Sequence, residues 1–481
     1  MSELQFQAIL PFVLLAASSI VVILLIAFRQ RHTVIQVTGF LMMCLVVFTM
    51  WQVRTVLPRA LPPLFLVDGF AAIFTGMIVF SVLVVGLFSF VYFEEREENP
   101  REYYILLFLA TLGGAVLTIS KHFLSFFLAL ELLSVGLYAL VGYLRYRNNA
   151  IEAGMKYLIL AALSSAFLLF GMALVYMETG SMDFAFIVQR LAATRPANSV
   201  LFIMGISIML VAVGFKLALV PFHLWAADVY QGAPAPVTAF IATSSKIAVF
   251  AVLLRLSQQI GLQQFPVFTT IFSIVAIASM ITGNFLALQQ QNVKRLLAYS
   301  SIAHFGYLLV AFLPGNTAGV EATIFYLSSY SITLLSALGV ITVMSTRERD
   351  AEDIADYRGL FWRYPALAAV LSIALFSLAG IPLTAGFLAK FFVLAAGVQA
   401  NLWLPVTVLV LASVVSLYFY LRIISTLFAD APAAEERKHT LHPFFHFATY
   451  ATLWVMLFLL CWLGVFPGMF LAVVRDFLLL R

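Results

Sequence analysis

The stretch Gly214–Trp225, GFKLALVPFHLW, decides how the chain is read. It sets a charged Lys216 inside an apolar segment and, five residues on, places Pro221, which lacks an amide proton and breaks helices. What an ammonium and a helix break do together depends on their surroundings, and composition supplies these. Hydrophobic residues make up 63% of the 481 and charged residues 10%, against about 45–50% and ~25% in soluble domains. A water-soluble globule is excluded. Crossing ~30 Å of hydrocarbon as helix takes roughly 20 apolar residues, and such runs recur along the chain. The fold class is an all-α, polytopic membrane protein.

Apolar runs between polar punctuation give about fourteen spans, near 8–28, 34–56, 70–93, 103–120, 122–143, 153–177, 200–220, 234–257, 266–288, 294–313, 321–345, 364–399, 402–428 and 446–474. The first is too long for a signal h-region and lacks a small-residue cleavage site after it, so it reads as a membrane helix. Span seven runs on through Pro221 toward Tyr230. Span twelve is too long for one straight crossing and contains Pro382. With the N-terminus outside, the inner loops carry Arg29, Arg31, Arg96, Arg101, Arg145, Arg147, Lys294, Arg295, Arg347, Arg349, Arg358, Arg363, Arg437 and Lys438. The outer loops carry about half as many, among them Arg54, Arg59, Arg190 and Arg195. The positive-inside rule then places both termini on the outer side of the membrane. The net charge of +5 belongs to these loops and does not point to nucleic acid. Cys44 and Cys461 both lie in apolar spans and form no CxxC, which argues against disulfide, zinc and iron–sulfur sites. No GxGxxG or GxxxxGK[ST] element follows a strand-like run. The chain is expected to bind no metal, nucleotide or redox cofactor of its own.

An ionisable side chain at mid-membrane costs about 2.5–3.5 kcal/mol on insertion scales and marks a functional site by default. Here they recur at matched depths: Glu131 in span five, Lys216 in span seven, Lys246 in span eight, His304 in span ten and Lys390 in span twelve. Burial disfavours a charged lysine and a nearby carboxylate favours it, so approach or withdrawal of Glu131 would switch Lys216 between holding and releasing a proton. Imidazole changes charge near neutrality, which suits His304 to a relay. Lys246 would pass charge laterally and Lys390 would be the next or final holder. The blander readings are a structural ion pair for Glu131 with Lys216, static pairing or contact with freed carbonyls for Lys246 and Lys390, and a packing hydrogen bond for His304. Lys156 and His223 are secondary candidates: Lys156 reads as snorkelling or functional, His223 as satisfying carbonyls at the break. Arg255 and Arg422 lie near span ends and are expected to snorkel. The Pro221 ring is expected to clash with the carbonyl of Leu217, leaving backbone oxygen beside the ammonium at the negative end of a half-helix. Irregular backbone at that depth needs protein or a hydrated cavity around it.

A weak internal echo joins FLALELLSVGLYALV, from Phe127, to KRLLAYSSIAHFGYLLV, from Lys294, and each precedes a proline-interrupted span. Paired broken helices point to a repeat-built transporter. At this point a resemblance enters. GFKLALV followed by PFHLWAADVYQGAPAPVTAFIATSSKIAVF (Pro221–Phe250), with ALELLSVGLYALVGY, EAGMKYLILAALSSAFLLFGMALVY, GNFLALQQQNVKRLLAYSSIAHFGYLLVA, YRGLFWRYP and SLAGIPLTAGFLAKFFVL, resembles the antiporter-like membrane subunits of respiratory complex I, the bacterial proton-translocating NADH:quinone oxidoreductase. The resemblance covers most of the chain and is loosest before about residue 65 and after about 430. Lysine at 390 favours the N-type branch over the M-type, where a glutamate is expected, and the absence of a long C-terminal lateral helix argues against the L-type.

The resemblance implies fourteen membrane helices and two inverted five-helix repeats with helices seven and twelve broken. It divides the chain into helices 1–3 (1–100), a first repeat (101–260), a second repeat (261–430) and a last helix (431–481). By motif, Glu131 and Lys216 match the paired carboxylate and lysine, Lys246 the linking lysine, and Lys390 the lysine of the second broken helix. It further implies proton translocation in a bacterial inner membrane, driven by quinone chemistry elsewhere. NADH, FMN, iron–sulfur clusters and quinone would belong to the wider complex, and the partners would be subunits M, K, J and A and the lipid bilayer. One departure is Ala226-Ala227, where a Thr-Pro or similar pair is expected. A multi-chain sodium/proton antiporter or membrane-bound hydrogenase subunit is the alternative, and a non-conducting membrane spacer a second.

Overall fold

The structure is a computed structural model that describes residues 2–94, 96, 100–194, 200–430 and 443–480. Of the loop charges used for orientation, Arg195, Arg437 and Lys438 lie outside the described residues. In hydrocarbon every backbone amide must be satisfied within its own segment, and the apolar runs fold accordingly. In chain order the elements are α1 (Glu3–Ala27), α2 (His32–Val53), a hairpin of β1 (Arg59–Leu61) and β2 (Phe65–Val67), α3 (Gly69–Glu94), α4 (Arg101–Ile119), α5 (Phe123–Val141) and α6 (Asn148–Thr179). There follow α7 (Phe184–Thr194), α8 (Val200–Leu217), α9 (Trp225–Gly232), α10 (Ala235–Phe240), α11 (Lys246–Ile260), α12 (Pro266–Leu288), α13 (Val293–Phe312) and α14 (Thr317–Met344). The chain ends with α15 (Leu360–Arg363), α16 (Pro365–Ala379), α17 (Ala385–Gln399), α18 (Trp403–Leu427), α19 (Pro443–Val465) and α20 (Pro467–Leu478). Among the described residues, thirteen helical stretches are long and apolar enough to cross a membrane. The two shorter apolar helices α16 and α17 lie either side of Pro382.

Three local features depart from the sequence expectation. The hairpin and the short helix α7 occupy stretches read as loops, and the span expected to run to 474 stops at Val465, where Pro467 opens α20. Both breaks also begin earlier than their prolines. α8 stops at Leu217 because Ala218 turns left-handed (φ 59°), and Leu219 N–H closes on Gly214 O at 2.8 Å. α16 stops at Ala379, where Gly380 takes φ 86° and the amides of Gly380 and Ile381 both reach Phe376 O. These are Schellman-type stops. Pro221 and Pro382 sit three and two residues beyond, where a resumed helix would need their amides.

Close helix pairing rests on small residues, as membrane bundles require. A Cβ on Gly113 would meet Leu133 N at 2.4 Å and Ala129 O at 2.8 Å, so α4 lies directly on α5; Gly136 faces Ala110 in return. The same holds for α12 on α13, where Gly283 faces Ala303 N and Tyr299 O, and Gly306 faces Ala276 O and Met280. Each member of the second set stands 170 residues after its counterpart in the first. The weak echo in the sequence is therefore a repeated contact.

Charges read as snorkelling are instead bound. Arg255 is buried; its guanidinium grips both oxygens of Asp68 at 2.9 and 2.7 Å and donates to Thr118 O. Asp68 also caps α3 through Ala71 N–H. Arg422 donates to Leu288 O and Gln290 O, closing the C-terminal end of α12.

Candidate functional site

The broken helices α8/α9 and α16/α17, with α5, α11 and α13, carry the expected residues. Lys216, Lys246 and Lys390 are at most 6% exposed and His304 is 5% exposed. Glu131 is half-buried. Each lysine ammonium lies over an aromatic face: Lys216 5.2 Å from the Tyr157 centroid, Lys246 4.6 Å from Phe305, and Lys390 5.3 Å from Tyr307. Such faces attract cations at little cost in polarity.

Lys216 does not stand beside a freed carbonyl. Its ammonium donates to Ser134 Oγ at 2.6 Å, one helical turn from Glu131 on α5. Glu131 is held by the hydroxyl of Ser165 on α6. No ion pair within 4.0 Å joins Glu131 to Lys216 among the described residues. At this break the Phe215 carbonyl accepts both from Ala218 N–H at 3.0 Å and from the Trp225 indole at 2.9 Å. The expected geometry is found at the other break. There Lys390 reaches back 2.9 Å to Ala379 O, the last carbonyl of α16, where a cation meets the negative end of the helix.

Lys246 and His304 each end on hydroxyls, in two separate networks. Lys246 donates to Ser301 Oγ at 2.6 Å, and Tyr330 Oη donates to the same oxygen at 2.6 Å. One turn along α13 from Ser301, His304 contacts Tyr326 Oη through Nδ1 at 2.7 Å and Tyr420 Oη through Nε2 at 3.3 Å. Tyr420 is in turn hydrogen-bonded to Ser300. A small cavity lined by His304, Ser329, Thr333, Ser377 and Gly386 lies on the Lys390 side, and the buried Ser329 hydroxyl has no protein partner. Lys246 follows a π-helical turn, Ile241–Ser245, of the kind that gathers at functional sites. Ser134, Ser301, Tyr326, Tyr330 and Tyr420 were not singled out by sequence. Their only signal was spacing: Ser134 and Ser301 stand three residues from Glu131 and His304, and Tyr326 and Tyr330 four apart on α14.

The secondary candidates fall outside this row. Lys156 is 44% exposed at its side chain and pairs with Glu152 at 2.7 Å and Asp228 at 2.8 Å. Asp228 also binds Arg295 at 2.7 Å, so it ties α9 to α6 and α13. Burial raises the Asp228 carboxyl, and its hydrogen bonds with Lys156 and Arg295 outweigh that and hold it below the usual range. His223 is buried on the turn after Pro221, with Nδ1 unpartnered. On the same side, buried Asp350 accepts from Tyr92 at 2.7 Å, Lys294 at 3.0 Å and Arg147 at 3.1 Å, with Arg96 at 3.5 Å. Burial pushes this carboxyl up, yet the three cations hold it well below the ordinary range. Lys294 reaches further, to Gln231 O and Ala233 O just past α9.

Two interrupted helices, each carrying a lysine into a buried polar row, define an antiporter-like membrane subunit. The model of the NADH:quinone oxidoreductase/Mrp antiporter transmembrane family matches residues 120–416, and the chain belongs to that family. It is 44% identical over 476 residues, 98% of this chain and 96% of the relative, to NADH-quinone oxidoreductase subunit N of Ectopseudomonas mendocina (strain ymp). Among solved structures it is similar to a chain of Thermus thermophilus respiratory complex I with bound aureothin (TM-score 0.82, 32% identity, 96% of this chain and 98% of that one). It is also similar to a chain of an archaeal membrane-bound sulfane sulfur reductase (TM-score 0.87, 26% identity, 98% and 96%). With a chain of the Mrp complex from Dietzia sp. DQ12-45-1b, at 21% identity and TM-score 0.85 over 98% and 96%, it shares the fold.

Proposed function

We propose that this chain is the N-type membrane-arm subunit of a proton-translocating NADH:quinone oxidoreductase, working beside other membrane-arm subunits. The observation that carries the reading is the row of three buried lysines, two on broken helices, with Ser301, Tyr330 and His304 continuing it. A hydroxyl both accepts and donates, so Ser301 can take a proton from Lys246 and pass its own to Tyr330 once the Tyr330 hydroxyl turns from donor to acceptor. His304, one turn from Ser301, can take it toward Tyr326 or Tyr420. Between Lys216 and Lys246, between Tyr330 and His304, and between His304 and Lys390, no hydrogen bond among the described residues continues the row, so transfer there needs a side chain to swing or water to enter. Ser134 sits where Glu131 could replace it as the partner of Lys216. The α4–α6, α8/α9, α10/α11 set and the α12–α14, α16/α17, α18 set act as two repeats, supported by the matched glycine contacts and by a break in the fourth helix of each.

Counting α16 and α17 as one crossing gives fourteen, with both termini outside as the loop charges favour. The chain itself carries out no electron transfer; redox centres and quinone reside in the rest of the assembly. The test is to tag the chain, extract it in mild detergent and analyse what accompanies it. A large assembly with flavin and iron–sulfur absorbance and inhibitor-sensitive NADH:quinone activity is expected. A smaller assembly without redox centres would move the same row of lysines to an ion antiporter.

A further inference from the structure

In the half of the bundle that carries the hairpin, a cavity of ≈ 400 Å³ opens between α2, α3, α14, α19 and α20. That is the size of a small-molecule site. The serine hydroxyls of its lining are spent: Ser81 donates to Met77 O, Ser328 to Ile324 O and Ser331 to Leu327 O, each within its own helix. A water there would find too few open partners, so the wall selects an apolar occupant. The space is open at Gly76, where an added Cβ would meet no atom within 4 Å. One flank faces outward, with Trp51 60% and Val473 51% exposed, so a chain can enter sideways from hydrocarbon.

The mouth adds a charge. Arg54, at the end of α2, places its guanidinium 4.7 Å from the centroid of Trp51, and no carboxylate among the described residues pairs with it. Tryptophan concentrates at the membrane–water interface, and a guanidinium binds a phosphate through paired charge-assisted hydrogen bonds. Tail-sized apolar space below an interfacial Trp–Arg pair matches one class of ligand. We propose that the cavity seats one acyl chain of an anionic glycerophospholipid, with its phosphate on Arg54. The site lies behind the row. On α14, Ser328, Ser331 and Ile332 face the cavity, and Tyr326, Ser329, Tyr330 and Thr333 face the His304 side. The lipid tail thus backs the helix that presents Tyr326 and Tyr330 to His304 and Ser301.

The test uses the assembled complex and phosphatidylglycerol carrying a photoactivatable group on its tail, with labelled residues located by mass spectrometry. Labelling is expected around Met77 and Trp462, and Gly76→Phe should reduce it several-fold by filling the space. Gly76→Leu serves if the larger side chain impairs assembly. In the unmodified complex the anionic probe should label more than a phosphatidylethanolamine probe, and Arg54→Gln should remove that preference. Labelling unchanged in the filled variants would overturn the site. Equal labelling by both headgroups would overturn the role of Arg54, and preferential labelling by a photoactivatable isoprenoid quinone would overturn the choice of ligand.

Discussion

The two broken helices solve the same problem differently. Around Lys216 the break is closed by backbone and by the Trp225 indole, and the ammonium is free to look across to α5. Around Lys390 the ammonium itself closes the break by binding Ala379 O. The 170-residue offset that superposes the glycine contacts extends the contrast: His304 stands where Ser134 stands in the first half, and Ser301 where Glu131 stands. One half offers its lysine a carboxylate and a hydroxyl. The other offers a carbonyl and an imidazole. A lysine facing a carboxylate has a partner able to change its proton affinity by moving, whereas a backbone carbonyl cannot change charge. The first break is therefore suited to switching and the second to holding.

This contrast can be broken most directly at the two lysines. Lys216→Ala should slow proton transfer by about 10²-fold or more, the scale of a positioned proton-transfer group. Lys390→Ala should slow it less and also destabilise the chain by orphaning Ala379 O. Proton-to-electron ratios and thermal stability of assembled complex decide, and equal pumping losses with no stability difference would erase the distinction. Next in size is the seam between the halves. Asp350→Asn would leave Arg96, Arg147 and Lys294 without their shared carboxylate, and a broken buried pair costs about 3–5 kcal/mol. Thermal unfolding of the complex should show that loss at neutral pH. Because the folded carboxyl titrates well below its unfolded value, the Asp350 contribution is full above the unfolded range and is lost only as pH falls through the folded one.

The repeat itself is tested by matched overpacking. Gly136→Val and Gly306→Val should each cost about 1–3 kcal/mol and by similar amounts; a cost confined to one would show that the halves tolerate their contacts differently. The smallest effect is expected at Asp228, whose pairs with Lys156 and Arg295 lie partly in solvent and are worth about 0–1 kcal/mol each. Since its carboxyl is held below its ordinary value of about 3.9, the stability gap between wild type and Asp228→Asn should stay constant above that pH and close in stronger acid.

The membrane class, the order of the apolar helices, the two interruptions and the burial of Lys216, Lys246, His304 and Lys390 were legible in the chain itself. Hydrocarbon explains this: it makes charge rare, so each buried charge announces itself, and it permits only long apolar helices. What a side chain touches was not legible. Arg255 read as a snorkelling residue until the fold brought Asp68 from 187 positions away. Lys156 read as snorkelling or functional, and the fold gives it a partner the sequence did not show, Asp228 on α9. Pro221 and Pro382 announced the breaks, but left-handed turns at Ala218 and Gly380 set where the helices end. Sequence alone determined that charge would be buried and helices broken, because those are local facts of composition and covalent structure. Tertiary structure alone decided the partner of each charge, because a hydrogen bond between helices depends on which faces the packing of small residues brings together.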